Sequence, residues 1–192
     1  QFDATDWDFI VARTEANGLF CVADDGKITP IKPDFDEEAA LQVLFGSTIL
    51  EFDAELDAKT QLSSLQSKAW SYTDQDIITV DAEEPEIKEN GNFSSSQSAS
   101  VLNIKDFILN TNESITETEL QSAADARLLK LRLSRMRGRV KCIGINTIKP
   151  GNIIELNGVG DRFNGNVFVS AVQHILSDGS YTTNIQFGID PK

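Results

Sequence analysis

The spacing of apolar residues near the N-terminus is that of a short amphipathic helix followed by a hairpin. Thr5 is placed to cap this helix, with Asp8 at its third position, and Gly18 is placed to end it. One face of the helix would carry Trp7, Ile10, Val11 and Thr14. The segments LFCVA, DDG and KITPI then predict a strand, a turn and a second strand. Residues 36–45 are a shorter candidate for a second helix.

Further along the chain, the period changes from helical to alternating. Apolar side chains at Leu50, Phe52, Ala54 and Leu56 alternate with acids at Glu51, Asp53, Glu55 and Asp57. This is the pattern of a strand with one face in water. Residues 65–70 predict the strand that returns beside it. Residues 83–100 are rich in charge, serine and glycine, which predicts a flexible linker or loop.

The last third of the chain predicts one long helix and then an antiparallel barrel or a strongly curled sheet. Thr116 and Glu119 form a capping box before the helix. Four alternating segments follow, separated by turns that contain proline or glycine. Gly151 after Pro150 predicts a type II turn, and Gly165 predicts a similar corner. The fold class is therefore predicted as α+β, mainly β, with an antiparallel barrel-like sheet and short helices.

The composition of the 192 residues is that of an ordinary globular protein, with 40% hydrophobic and 8% aromatic residues. One or two compact modules are expected at this length. No apolar run approaches the roughly 20 residues that span a bilayer, and the first residues given do not show the pattern of a signal peptide. The chain begins at Gln1 and its one methionine is Met136, so we expect it to be cut from a longer protein.

The net charge of −13 is distributed unevenly along the chain. Residues 1–126 hold 7 basic and 26 acidic side chains, whereas residues 127–192 hold 10 basic and 4 acidic ones. The acidic excess argues against nucleic acid as a partner, because phosphate binding depends on lysine and arginine. The basic run 127–141 has two interpretations: it is a solvated face, or it meets an acidic surface of another subunit.

The residues that carry chemistry do not form a catalytic or metal-binding set, and no cofactor is predicted. Cys21 and Cys142 lie far apart in apolar surroundings and are interpreted as buried free thiols, with a disulfide as the alternative. His174 is the one histidine, and we interpret it as a structural hydrogen-bonding residue. Residues 158–165 contain several glycines but lack the lysine of a phosphate-binding loop and precede a strand. The acids of residues 51–57 lack the spacing of a calcium loop.

Three stretches of the chain resemble the spike and hub proteins of contractile injection machines. They are DWDFIVARTEANGLF, FGSTILEFDAELDAKTQLSSLQSKAW and GRVKCIGINTIKPGNIIELNGVGDRFNGNVFVSAVQHILSDGSYTTNIQFG. The most specific parts are W-D-F-I with E-A-N-G, and then, in this order, P-G, G-x-G-x-x-F-N-G, V-x-x-V-x-H and Y-T-T. The chain thereby resembles the VgrG spike proteins of type VI secretion systems. It is equally similar to the late control protein D hubs of contractile phages.

The resemblance implies a structural, non-enzymatic baseplate hub that works as a homotrimer. Two similar barrels in each subunit would form a ring of pseudo-sixfold symmetry that matches the hexameric tube ring above. An OB-like domain and a β-helical needle of the same chain would form the spike below, and this spike alone would reach a target membrane. Such a protein would assemble in the bacterial cytoplasm and then be secreted or released with the particle.

The resemblance also implies an organisation of the chain as a central slice of the hub. Residues 1–45 would be the inserted helix-hairpin subdomain, with Trp7, Phe9 and Ile10 bracing it against the first barrel. Residues 46–82 would return to the first hub barrel, 83–100 would be the linker, and 101–192 the long helix and the second hub barrel. Trp7 could equally be a plain core aromatic.

A closed ring would place the basic run of one subunit beside the acidic strand of the next. The residues predicted at this seam are Arg132, Arg135 and Arg139 on one side and Glu51, Asp53 and Glu55 on the other. The motif residues that we expect to serve the fold are Trp7, Phe9, Gly18, Gly151, Gly165 and His174.

Three alternatives to a secretion spike stay open at the level of sequence. The first is a phage tail baseplate hub. The second is a cell-wall hydrolase associated with a tail, although no acid and nucleophile pair is evident. The third is an OB-like nucleic-acid binder, which the acidic balance and the lack of aromatics on a basic strand disfavour.

Overall fold

The computed structural model of the protein describes residues 3–88, 90–103, 106–112 and 115–191. Within these ranges the chain forms the helices α1 (Asp6–Glu15), α2 (Ser95–Leu102) and α3 (Glu117–Leu133). The strands are β1 (Phe20–Asp24), β2 (Lys27–Ile31), β3 (Leu41–Leu44), β4 (Ile49–Leu56), β5 (Ser64–Ser71), β6 (Asp76–Asp81), β7 (Asp106–Thr111), β8 (Met136–Ile143), β9 (Ile153–Asn157), β10 (Gly165–Ser177) and β11 (Ser180–Phe187). The fold is α+β and dominated by sheet, as the sequence predicted.

The helix and the hairpin predicted at the N-terminus are both present. The hydroxyl oxygen of Thr5 accepts a hydrogen bond from the backbone N–H of Asp8 at 3.1 Å, which caps α1. β1 pairs with β2 in antiparallel fashion. Asp25 and Gly26 between the two strands both have positive φ, at 47° and 76°. These are the angles of a type I′ turn, so the predicted D-G turn is confirmed.

α1 does not bury the aromatic residues to which the sequence assigned a packing role. Trp7 is 46% exposed, Phe9 40% and Ile10 37%. The side of α1 that packs on β1 carries Thr14, whose hydroxyl lies 3.1 Å from the Cys21 sulfur. The interpretation of Trp7 as a core residue is therefore wrong within this chain, and the bracing of the three side chains against a first barrel stays a prediction. A ten-residue helix on a two-stranded hairpin has too little partner surface to cover two aromatic rings.

The largest element is a six-stranded sheet with the order β3-β9-β10-β11-β8-β4. Its four inner strands are antiparallel neighbours, as predicted for the C-terminal segments. β4 extends the sheet antiparallel to β8, and β3 extends it parallel to β9. Residues 45–48 alone join the two edge strands, with a bridge between Phe45 and Ile49. The sheet therefore curls into a half-barrel around a core that includes Val43, Val140, Ile154, Leu156, Val169 and Ile185.

Two local predictions around the edge strands are wrong. Residues 36–45 do not form a helix, since they contain β3, whose Val43 is fully buried against the half-barrel core. The pairing with β9, far away in sequence, overrides a weak helical pattern. Leu50 is 52% exposed and Ile49 is buried in its place. A β-bulge between Ile49 and Glu51 causes this shift, because it puts an extra residue into the alternation.

A second, three-stranded sheet has the order β6-β5-β7, with β7 parallel to β5. The strand predicted at residues 65–70 is present as β5, but it lies in this sheet and does not return beside β4. α3 packs on the sheet through a core that includes Leu65, Ala69, Leu120 and Leu128. The predicted capping box of α3 is confirmed, because Thr116 accepts from the Glu119 N–H and Glu119 accepts from the Thr116 N–H.

The segment predicted as a loop without packing contains a helix at its end. Ser94 and Gln97 form a capping box for α2, and Ser98 and Ala99 are buried. The division of the chain at residues 45, 82 and 100 stays a prediction. Strand pairing crosses it, however, because β3 and β4 belong to the same sheet as β8 to β11.

The turn at Gly151 provides a test of this architecture. Gly151 has φ +93°, and the Asn152 N–H donates to the Lys149 carbonyl oxygen at 3.2 Å, as a type II turn requires. Gly151→Val is expected to cost on the order of 1–3 kcal/mol in backbone strain. A further loss is expected because the new Cβ would meet Cδ1 of Ile31.

Gly26→Val is the matched control for this prediction, and thermal unfolding of both variants is the measurement. Gly26 has φ +76° and no atom within 4 Å of an added Cβ, so its replacement tests strain alone. Equal losses of stability in the two variants would show that the contact with Ile31 has no effect.

Candidate functional site

The seven basic residues of the run 127–141 lie on α3 and β8, and they contact acids or carbonyl groups of the same chain. Lys130 forms an ion pair with Glu15 at 2.7 Å. Arg127 donates to the carbonyl oxygen of Pro191 at 2.9 Å. The remaining five form two groups, one on the outer face of the half-barrel and one buried beside it.

The first group is a ladder of opposite charges between β4 and β8. The antiparallel register places Glu51 opposite Lys141, Asp53 opposite Arg139 and Glu55 opposite Arg137. The nitrogen and oxygen atoms are 2.7 Å apart in the Lys141–Glu51 pair, 2.8 Å in Arg137–Glu55 and 4.0 Å in Arg139–Asp53. The hydrogen bond and charge of Lys141 hold the pKa of Glu51 below its usual value.

The acids assigned to the predicted seam between subunits thus pair with basic side chains of the same chain, and the seam itself stays a prediction. The sequence showed acids and bases with the same alternating period, but it did not show that β4 and β8 are neighbours. Once they pair in register, the complementary charges meet within the chain, where such cross-strand pairs stabilise the sheet. The assignment of Glu51, Asp53, Glu55 and Arg139 to a subunit interface rested on this charge pattern, which the intramolecular pairing now explains.

The second group consists of two buried arginines, which the sequence had also assigned to the seam. Arg132 is 9% exposed and Arg135 4%. Arg132 forms a bidentate pair with Glu84, at 2.6 Å through Nε and 2.9 Å through Nη2. Arg135 donates to the Asn90 carbonyl oxygen at 2.8 Å, to Asn90 Oδ1 at 2.5 Å and to the Phe93 carbonyl oxygen. Buried side chains with these partners are not available to another subunit.

Residues 83–88 and 90–93, which we call the clasp, are fastened by these arginines. Asn90 Nδ2 donates to the Asn166 carbonyl oxygen at 3.0 Å, and the Gly91 N–H donates to the Asn164 carbonyl oxygen at 2.8 Å. The Arg162 guanidinium lies 5.6 Å from the centre of the Phe93 ring. Glu84 and Asn90 are thus structural partners that sequence reasoning missed, because neither lies in a recognisable motif with Arg132 or Arg135.

His174 and Cys142 lie on either side of Thr183 in the half-barrel sheet, whereas Cys21 lies in β1. Nδ1 of His174 is 3.2 Å from the Thr183 hydroxyl and 3.1 Å from the Tyr181 hydroxyl. Both cysteines are free. Cys142 is buried, and burial raises the pKa of its thiol, whereas Cys21 is only half-buried.

Within the described ranges, no group of three or more histidine, cysteine or acidic side chains is placed to hold a metal ion. None of the helices described is long and apolar enough to cross a membrane. The glycine-containing loop 158–164 leads into β10 and places Phe163 against Phe52, with the ring centres 5.8 Å apart. This loop therefore helps to close the half-barrel core.

The fold is similar to that of tail proteins from phages and prophages. The tail protein from Neisseria meningitidis MC58 matches with a TM-score of 0.65 and 14% identity, over 99% of this chain and 56% of that one. The prophage MuSo2 43 kDa tail protein from Shewanella oneidensis matches with a TM-score of 0.62 and 10% identity, over 100% of this chain and 54% of that one. A chain from the virion of a native gene transfer agent particle matches with a TM-score of 0.56 and 14% identity, over 100% of this chain and 40% of that one.

These matches confirm the resemblance to tail proteins at the level of the fold. The chain spans about half the length of the tail proteins that it matches. No curated protein matches it in sequence. One family model does match, and it is described as the Alg8 N-terminal domain rather than as a VgrG spike or a late control protein D. Because this match extends over residues 1–178, the chain belongs to the Alg8 N-terminal domain family.

Proposed function

We propose that the protein is a structural component of a phage tail or of a related tail-like particle, without catalytic activity of its own. The observation that carries this proposal is the shared fold with tail proteins over 99% and 100% of the chain. Two features of the described residues agree with a structural role. The charged side chains of β8 serve pairing within the fold, and His174 lies within hydrogen-bonding distance of Thr183 and Tyr181.

We further propose that the particle component is the hub between the tube and the spike. Support comes from the ordered motifs W-D-F-I, P-G, G-x-G-x-x-F-N-G and V-x-x-V-x-H, which resemble those of VgrG and late control protein D. A phage tail hub and a secretion-system spike share these motifs. In either machine the protein would act as a homotrimer beneath the tube ring, with the needle of the longer polypeptide below. It would assemble in the bacterial cytoplasm and leave with the particle.

The oligomeric state tests the contribution of this part of the hub. We expect the 192-residue chain to be monomeric or weakly associated in dilute solution and the longer polypeptide to be trimeric. The physical reason is that a needle would supply most of the contact between subunits. Light scattering of both proteins measures the masses. A tight trimer of the short chain would show that the half-barrels hold a ring together unaided.

The role in a particle is tested by locating the protein in one. The turn between β10 and β11 offers a site for an epitope tag, because Asp178 and Gly179 lie at the exposed tip of the hairpin and no atom lies within 4 Å of an added Gly179 Cβ. Immunogold labelling of particles from the producing bacterium should mark one end of the tail. Gold label along the whole tail would contradict the proposal that the protein is the hub. Purified particles without any label would contradict it as well. An untagged strain is the control.

A further inference from the structure

A groove of about 640 Å³ runs between α3, the loop that follows β2 and the clasp. The floor of the groove is apolar. Phe35 and Ala126 are buried there, and Ile87 and Leu129 are half-buried beside them. Pro33 and Pro85 form part of the two walls. Ile87 and Leu129 therefore offer apolar surface within a groove whose other lining is mostly polar.

The rim of the groove is strongly acidic. Its lining residues include six carboxylates and one lysine, namely Asp34, Asp36, Glu83, Glu84, Glu86, Asp125 and Lys32. Glu84 is engaged by Arg132, and Asp125 accepts from the Glu83 N–H and from Gln121. The side chains of Asp36, Glu83 and Glu86 are exposed and take part in no ion pair of the described residues. Like charges gathered in this way attract a cationic partner.

A second copy of this chain is poorly suited to supply that partner. The basic run, which is the largest concentration of positive charge in the chain, is already paired internally through Glu15, Glu84, Glu55 and Glu51. Lys149 is likewise paired with Asp24. The surface that a second copy could offer is therefore mostly acidic and would repel the groove.

We propose that this groove is a docking site for a basic segment of another protein, with lysine or arginine side chains interleaved with apolar ones. The basic side chains would reach the rim carboxylates of Asp36, Glu83 and Glu86. The apolar side chains would cover Ile87 and Leu129. This assignment rests on the charge and shape of the groove and does not depend on the proposed role in a tail.

Fluorescence anisotropy with two labelled peptides tests the proposal. One peptide alternates lysine with leucine, and the other alternates lysine with serine. The leucine peptide should bind, and the serine peptide should bind at least about tenfold more weakly because it has no side chain to cover the apolar floor. Equal binding of the two peptides would overturn the proposal, since it would show charge attraction without a groove.

The double variant Glu83→Gln and Glu86→Gln locates the binding. The double variant should bind the leucine peptide about five- to tenfold more weakly than the wild type does, as expected for the loss of two exposed ion pairs. The matched control is Glu117→Gln with Asp161→Asn, which removes the same charge from exposed positions that do not line the groove. The control should change binding by less than about twofold. The same loss in both double variants, with both folded by circular dichroism, would also overturn the proposal.

Discussion

Arg135→Glu is expected to lower the free energy of unfolding by about 3–5 kcal/mol, the loss typical of breaking a buried charged group away from its partners. Arg135 is 4% exposed and holds the clasp through the carbonyl oxygens of Asn90 and Phe93. A carboxylate in its place would face these oxygens without a donor and without water. Urea denaturation followed by circular dichroism measures the change.

The control for this prediction is the same substitution at a neighbouring position of the basic run. The side chain of Arg139 is 58% exposed, and its nitrogen lies 4.0 Å from the carboxylate of Asp53. Arg139→Glu should therefore cost less than about 1 kcal/mol, as is usual for exposed pairs. Equal losses of stability in the two variants would show that the buried hydrogen bonds of Arg135 contribute no more than the exposed ion pair of Arg139.

This result bears on how a subunit seam could be tested. The sequence alone suggests that reversing Arg132, Arg135 and Arg139 together would weaken a ring and leave the subunit folded. The triple reversal is instead expected to destabilise the subunit strongly, because two of the three side chains are buried in it. Loss of ring formation in such a variant would then say nothing about the seam.

Gly138→Val is expected to cost about 3 kcal/mol or more, at the upper end of the range for overpacking a close contact. Gly138 lies in β8 between Ala54 of β4 and Phe187 of β11. An added Cβ would lie 2.8 Å from the Ala54 Cα and 2.7 Å from the Phe187 ring, and closer still to the Asp53 carbonyl oxygen. Backbone cannot rotate away as a side chain can, so β4 would have to separate from β8.

Arg139→Val is the matched control for Gly138→Val. It places the same β-branched residue at the next position of the same strand, on the outer face. Thermal unfolding should show a loss below about 1 kcal/mol for this control, because valine suits an exposed strand position. A stability of Gly138→Val close to that of the wild type would mean that β4 and β8 are not as closely paired as described.

The elements that could be predicted from the sequence are those with signals a few residues apart. Thr5 with Asp8, Asp25 with Gly26, and Thr116 with Glu119 each define a helix start or a turn within one local window. The structure has these features where the sequence placed them. The four C-terminal strands were also evident, because proline and glycine turns separate them.

The features that sequence reasoning missed depend on contacts across long stretches of chain. Residues 41–44 become a strand because β9 lies beside them, more than a hundred residues later. The acids of β4 pair with basic residues of β8, which is also distant in the sequence. Arg135 appears in the sequence as one more surface charge, and only the path of the clasp buries it. Charge patterns can thus show that two segments are complementary, but not whether they belong to one subunit or to two.

The curled sheet also has a consequence for the order in which the protein folds. Leu41 pairs with Ile154, and Phe52 with Val140, so the half-barrel closes only when the last third of the chain is present. Such distant pairings cost much loop entropy and slow folding. During synthesis β3 and β4 therefore emerge as strands without partners. The acids along β4 would then hinder its pairing with the same strand of a neighbouring nascent chain, because like charges repel. The carboxylates that stabilise the finished sheet would thus also protect the unfinished one from aggregation.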